Sequence, residues 1–160
     1  MITNNVTRLL DSRKIPYTSF ETPPEKIGAM QTASFLGVPP EIVFKTIVIK
    51  REKPGKYLLA VIPGPAEVDL KKLAALLGEK KLVLPTEKEA EQITGLQAGG
   101  ISPLALLNKG FQVIVDSSAG QLEFLHISGG QRGLNLRLPS KPLIQLTQAK
   151  TGDICRVEEK

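Results

Sequence analysis

The chain is poor in the residues that carry most covalent and metal chemistry. Of its 160 residues one is cysteine, Cys155, one is histidine, His126, and none is tryptophan. A single cysteine excludes an intramolecular disulfide framework and fits a reducing compartment. One histidine, one cysteine and no clustered carboxylates argue against a catalytic metal site, and no cofactor is implied. A Cys-His nucleophile pair has no support in the sequence either. Cys155 lies near the C-terminus, and His126 falls in the alternating run Leu122 to Ser128, sharing a face with Leu122, Phe124 and Ser128. We read Cys155 as an ordinary thiol and His126 as a strand residue at the edge of the core. Two tyrosines and no aromatic-basic interleaving exclude a stacking platform for single-stranded nucleic acid. The hydrophobic runs are short and broken by Lys, Gly or Pro, so none spans a bilayer. Met1 to Asn5 lacks the basic and apolar regions of a signal peptide. The expectation is a cytoplasmic protein with no membrane partner.

What the chain does have is enough apolar material for one core. At 41% hydrophobic residues and with no linker, repeat or low-complexity stretch, residues 1 to 160 read as a single domain. A formal charge of +5 favours a polyanionic partner, because basic surface attracts phosphate and speeds encounter. The basic residues are spread along the chain, so a solvated surface explains many of them. A small contact with a polyanion fits this distribution better than a long nucleic-acid groove.

Two segments stand out chemically. Val43-Phe44-Lys45-Thr46-Ile47-Val48-Ile49 reads as a β-strand in which Lys45 shares a row with Val43, Ile47 and Ile49. A lysine on an apolar row costs desolvation unless its ammonium reaches solvent or an anion. From strand pattern alone, a stem that snorkels past the sheet edge is the commoner explanation. The second segment, Thr94 to Leu104, holds Gly99-Gly100 ahead of Ile101-Ser102-Pro103-Leu104. Adjacent glycines let backbone approach a ligand without Cβ interference. Ser102 suits an N-cap and Pro103 a first helical position, which predicts a short helix over Leu104 to Asn108, stopped by Gly110. Such a start attracts phosphate, carboxylate or a developing oxyanion, although Gly-Gly and Ser-Pro are also ordinary turn punctuation.

The rest of the pattern is mixed α and β. Helices are expected from Val6 to Lys14, Ile27 to Leu36, after the cap Asp69 through Leu77, after Thr86 with Glu89 as a capping box, and over Pro142 to Gln148. Strands are expected at Tyr17 to Phe20, around Lys45, Tyr57 to Ile62, Lys81 to Leu84, Phe111 to Asp116, Leu122 to Ser128 and Leu134 to Leu138. The Lys45 strand and Tyr57 to Ile62 form a predicted hairpin around Lys53-Pro54-Gly55. Short connections among the last three strands imply antiparallel neighbours. Gly129-Gly130 and Gly133 bracket Gln131-Arg132 in a hairpin turn that needs positive φ.

Three stretches in this order, Val43-Phe44-Lys45-Thr46, Gly99-Gly100-Ile101-Ser102-Pro103-Leu104 and Ser128-Gly129-Gly130-Gln131-Arg132-Gly133-Leu134, resemble the YbaK family of aminoacyl-tRNA deacylases. That family is similar to the editing domain of bacterial prolyl-tRNA synthetases, and the resemblance covers nearly the whole chain. It implies a mostly antiparallel, barrel-like sheet ringed by helices, within an α+β fold. It also implies hydrolysis of a mischarged aminoacyl-tRNA in trans, foremost Cys-tRNA(Pro), with prolyl-tRNA synthetase as a further partner. In the mechanism it implies, the substrate's own thiol attacks its ester carbonyl. Lys45 would then place and neutralise the terminal nucleotide, while the amides of Gly99 and Gly100 hold the carbonyl oxygen.

The resemblance further assigns substrate contacts to Phe20, Ser102, Pro103, Ser128, Gly129, Gly130, Arg132 and Asn135, with the two serines as polar contacts and not nucleophiles. Asn135 stands where relatives often carry aspartate, Ala105 where glycine is common, and Phe20 near a position often held by tyrosine. Asparagine keeps hydrogen bonding but loses the negative charge, which leaves the amino acid removed more open than the reaction. Alanine is an alternative. A non-catalytic module binding tRNA or a synthetase, and a hydrolase of small esters, are the competing classes.

Overall fold

Local capping chemistry sets the helix boundaries in the computed structural model, which describes residues 2–52, 55 and 57–156. Helix α1 spans Asn5–Ser12 and begins where the Asn4 side chain accepts from the Thr7 amide. Helix α2, Ala29–Leu36, ends at Gly37 with φ 69°, the left-handed conformation that glycine adopts without a Cβ penalty. In α3, Leu70–Leu77, the Asp69 carboxylate accepts from the Lys71 and Lys72 amides. In α4, Glu87–Thr94, Thr86 and Glu89 form the predicted reciprocal capping box. Helix α5 spans Ser140–Thr147.

The strands form two sheets. The smaller is β1 (Thr18–Glu21), β7 (Leu134–Pro139) and β6 (Phe124–Ser128), in the order β1-β7-β6 and antiparallel throughout. The larger runs β4-β2-β3-β5-β8, built from β2 (Phe44–Arg51), β3 (Leu58–Pro63), β4 (Leu82–Val83), β5 (Gln112–Asp116) and β8 (Lys150–Gly152). A parallel bridge between Val43 and His126 joins the two sheets.

The mixed α/β expectation holds, but the strands do not close into a barrel, and two details of the pairing differ. Strand β5 lies parallel to β3 and to β8 instead of antiparallel to β6. The short connection after β5 is a 3-10 turn, Ser117–Gln121, that carries the chain from one sheet to the other. Strand β8 was not expected; it is three residues long, and two of them are exposed. Lys53 and Pro54 of the β2–β3 turn lie outside the described residues.

Strand β3 shows why the large sheet holds together. Leu58 through Ile62 are all 0% exposed, so both faces of the strand are covered. Leu59 and Val61 join Phe44, Val48, Val113 and Leu136 in one cluster against α1 and the small sheet. Leu58, Ala60 and Ile62 join Ile49, Ile114 and Leu73 in another, under α3. Burying each such side chain contributes about 1.5–3 kcal/mol before the entropy of ordering it. Lys45 lies in the row of the second cluster, one step beyond Ile47.

The predicted helix over Leu104 to Asn108 does not form. The backbone instead makes successive i to i+3 turns, with Ala105, Leu106 and Lys109 amides donating to Ser102, Pro103 and Leu106 carbonyls at 3.2, 3.3 and 3.2 Å. Asn108 at φ 63° and Gly110 at φ 85° end the run before an α-helical ladder can start. The segment therefore offers no helix N-terminus for an anion.

Candidate functional site

An unfinished sheet edge creates the cavity. Strand β4 pairs with β2 only at Lys50 and Arg51, so the edge from Phe44 to Val48 carries no strand partner among the described residues. Opposite that edge run the segments around Lys26 and Leu84, and a cavity of about 430 Å³ remains between them. Helix α4 is held over it by Lys50 bonded to Glu89 at 2.9 Å, and Lys26 and Glu87, both on the cavity wall, pair at 2.6 Å. Both pairs are substantially exposed, so they position more than they stabilise.

Four of the residues singled out from the sequence, Lys45, Gly99, Ser128 and Asn135, line this cavity together. Lys45 is half-buried, and its ammonium has no hydrogen bond or ion pair among the described residues. The Ser128 hydroxyl accepts from the Gly130 amide at 3.3 Å, which fixes it in the turn.

The glycine loop is shaped by close backbone approach. Gly99 has φ 90°, and a Cβ on Gly100 would lie 2.9 Å from Gln131 Cα and 3.0 Å from the Arg132 nitrogen. Only glycine fits against the second turn at that distance. The Gly100 amide donates to the Gln97 carbonyl at 2.8 Å, so it is committed to its own turn. Of the two amides expected to face a ligand, that of Gly99 has no backbone acceptor among the described residues. Arg132 bonds through Nε to the Ala98 carbonyl at 2.7 Å and so clamps the loop from behind.

The remaining predicted contacts lie outside the cavity wall. Ser102 is fully buried, and its hydroxyl accepts from the Leu104 amide at 3.2 Å, with Pro103 buried beside it. The Gly129 carbonyl accepts from the Asn4 side chain at 2.9 Å, and a Cβ on Gly130 would meet Val6 at 3.0 Å, so both glycines pack the turn onto α1. Phe20 on β1 pairs directly with Asn135 on β7 and rests its ring on His126, with centroids 5.5 Å apart.

Sequence reasoning missed the partner of Asn135. His126 is 1% exposed, Asn135 is 5% exposed, and His126 Nδ1 lies 2.8 Å from Asn135 Oδ1. Burial pushes the imidazole's pKa below its ordinary value; the Arg137 cation acts in the same direction, and the Asn135 hydrogen bond opposes them. The available signal was alternation: His126 and Ser128 on β6 and Asn135 and Arg137 on β7 put polar groups on one face, opposite Leu125, Ile127, Leu134 and Leu136. Cys155 lies elsewhere, and burial with Asp116 beside it pushes its thiol up to about 12, far from any nucleophilic role.

The mixed α/β fold thus holds an open-edged cavity whose wall combines a glycine loop with a lysine that has no partner among the described residues. Residues 24–146 match the family described as the aminoacyl-tRNA editing domain, and the chain belongs to that family. It is 33% identical over 96% of its length, and 94% of the relative's, to EbsC of Enterococcus faecalis, provisionally assigned as a Cys-tRNA(Pro)/Cys-tRNA(Cys) deacylase. It is 27% identical over 76% of its length to a proline--tRNA ligase of Staphylococcus aureus, of which it spans 20%. Among solved structures, one of a hypothetical protein matches at TM-score 0.86 and 22% identity over 96% of this chain and 100% of that one. Another, provisionally described as a trans-editing enzyme for prolyl tRNA synthetase, matches at 0.79 and 23% over 98% and 100%. These two likenesses concern the fold.

Proposed function

We propose that this protein is an aminoacyl-tRNA deacylase that clears mischarged tRNA in trans, with Cys-tRNA(Pro) as its substrate. The observation that carries this reading is Lys45, an ammonium without a partner among the described residues, facing the same cavity as the Gly99 backbone. Family membership and the EbsC likeness support the reaction class. No cysteine or histidine lines the cavity, and among the described residues none of its hydroxyls, those of Ser128 and the threonines, is hydrogen-bonded to Glu25 or Glu87, the carboxylates on its wall. A general-base-activated protein nucleophile therefore has no support in the cavity wall, and the protein contributes position and charge.

In the proposed step the cysteinyl thiol, giving up its proton, forms a bond from sulfur to the ester carbonyl carbon. The bond from that carbon to the tRNA oxygen breaks, and the oxygen takes up the proton. Lys45 holds the phosphate or ribose of the terminal nucleotide, and the Gly99 amide steadies the carbonyl oxygen as charge develops. The cyclic thiolactone released is then hydrolysed by water. Prolyl-tRNA synthetase is the proposed supplier of the mischarged tRNA.

The test is deacylation of cysteinyl-tRNA(Pro), alanyl-tRNA(Pro) and seryl-tRNA(Pro) by purified protein, with the released product identified by mass. Rapid release from the cysteinyl substrate through a thiolactone, with seryl-tRNA(Pro) slow, supports the mechanism. Preference for alanine would keep the reaction and exclude the thiol step. Binding of tRNA without turnover of any of the three would contradict the enzyme reading.

A further inference from the structure

The His126–Asn135 pair fixes the polarity of the cavity's inner wall. An amide oxygen carries no hydrogen, so the 2.8 Å contact between His126 Nδ1 and Asn135 Oδ1 requires the proton to sit on Nδ1. The Nδ1–H form of the imidazole is the one that matches this placement of the amide. Its Nε2 is buried without a hydrogen-bond partner among the described residues. Phe20 lies against the imidazole, so the ring is packed as well as bonded.

With Oδ1 engaged, the remaining polar atom of Asn135 is its Nδ2. No hydrogen bond from that group is made to the described residues, and Asn135, although 5% exposed, lines the cavity. Nδ2 is not among the fully buried atoms that lack a partner, so this donor stays open to whatever occupies the cavity. An aspartate at this position would offer only acceptors. Lys45 adds a second donor to the same cavity. Two donors favour a ligand oxygen and disfavour an ammonium.

We infer that Asn135 is a specificity-determining residue that donates through Nδ2 to an acceptor oxygen of the aminoacyl ester, and that His126 is its positioning residue. This rests on the deacylase reading for the identity of the ligand, though not for the orientation of the amide. The inner wall then reads the ester and ribose oxygens, leaving the substrate's ammonium toward the cavity mouth, where the carboxylate of Glu25 lies.

Two measurements test this separately. Because His126 is the sole histidine, long-range nitrogen–proton NMR of the labelled protein at pH 7 reports its tautomer without assignment ambiguity. The Nδ1–H form is expected, and it is lost in Asn135→Leu. The Nε2–H form in the wild type would mean that the amide is turned the other way, and would overturn the inference whatever the activity.

The second measurement is kcat and KM for cysteinyl-tRNA(Pro) in Asn135→Asp, Asn135→Leu, His126→Asn and His126→Leu, each checked for a cooperative melt. Removing one donor to a buried acceptor is expected to lower kcat/KM by about tenfold in both Asn135 variants. His126→Asn, which keeps an N–H near the Nδ1 position, should recover most of what His126→Leu loses. Wild-type or higher kcat/KM in Asn135→Asp, with loss only in Asn135→Leu, would show a wall that accepts, and would overturn the inference. A folded His126→Leu with unchanged kcat/KM would remove His126 from the positioning role. If the wild type deacylates nothing, the editing reading fails by itself, and the tautomer still decides how Asn135 points.

Discussion

Two buried polar clusters, one around Asp116 and one around Asn135, treat their hydrogen bonds in opposite ways. Asp116 is 6% exposed and Asn135 is 5% exposed, so burial does not distinguish them. Asp116 accepts from the amide and hydroxyl of Ser118 and from the Ile154 amide, using both carboxylate oxygens. Burial alone would raise its pKa, but those hydrogen bonds outweigh burial and hold it below the ordinary carboxylate value. Among the described residues Asn135 is bonded through its oxygen alone, and Lys45, in the same cavity, has no ionic partner. A polar cluster that completes itself is architecture. One that stops short faces the cavity, and a ligand completes it.

The largest expected break in this comparison is Lys45→Ala. If the ammonium stabilises charge in the deacylation step, its removal should lower kcat/KM for cysteinyl-tRNA(Pro) by about 100-fold or more, roughly 2.7 kcal/mol. The melting temperature should stay within about 2 °C or rise, because an unpartnered lysine on an apolar row stabilises nothing. Asp116→Ala should do the reverse. It leaves the Ile154 amide and the Ser118 hydroxyl without their acceptor, and denaturant unfolding should record a loss of about 1–3 kcal/mol. Activity per folded molecule should remain within about twofold of the wild type.

Gly100→Ala sharpens the comparison inside the site. The added methyl would press on the Gln131 and Arg132 backbone at 2.9–3.0 Å, a contact no rotamer relieves. A stability loss of about 1–3 kcal/mol is expected, with a fall in kcat as the Gly99 backbone moves. Gly28→Ala, where a Cβ meets nothing within 4 Å, serves as the control in melting experiments.

A smaller effect concerns pH. His126 is neutral in the folded protein with a depressed pKa, while in the unfolded chain it titrates near its ordinary value of 6.5. Below that value the unfolded state binds the extra proton, so stability present above about pH 6.5 is lost as pH falls toward the folded pKa. Unfolding free energies at pH 7 and pH 5 should show the loss, and His126→Asn should flatten it. The smallest effect belongs to Cys155. With its thiol pushed up to about 12, a disulfide reagent at pH 8 should modify it slowly in the native state, and Cys155→Ala should leave deacylation unchanged.

The sequence made the capped elements and the cavity's cation legible, for local reasons. Asp69 and Thr86 are bonded within their own first turns, so the residues that define each helix start are adjacent in sequence. Lys45 was visible as a cation on an apolar row of a strand. The segment after Pro103 was misread because capping residues cannot compensate for a stretch too short to nucleate, ended by Asn108 and Gly110 in left-handed conformations. The place of β5 was misread because the 3-10 turn after it moves the chain to a different sheet. The His126–Asn135 bond was illegible because its two residues meet only when β6 and β7 pair in register.

The measurement that tests the central claim most directly is a crossed one: kcat/KM on cysteinyl-tRNA(Pro) and unfolding free energy, both taken for the wild type, Lys45→Ala and Asp116→Ala. The account predicts that Lys45→Ala loses about 100-fold in activity with its stability intact, and that Asp116→Ala loses stability with its activity per folded molecule intact. Full activity in Lys45→Ala, or a loss of stability there matching that of Asp116→Ala, would contradict it.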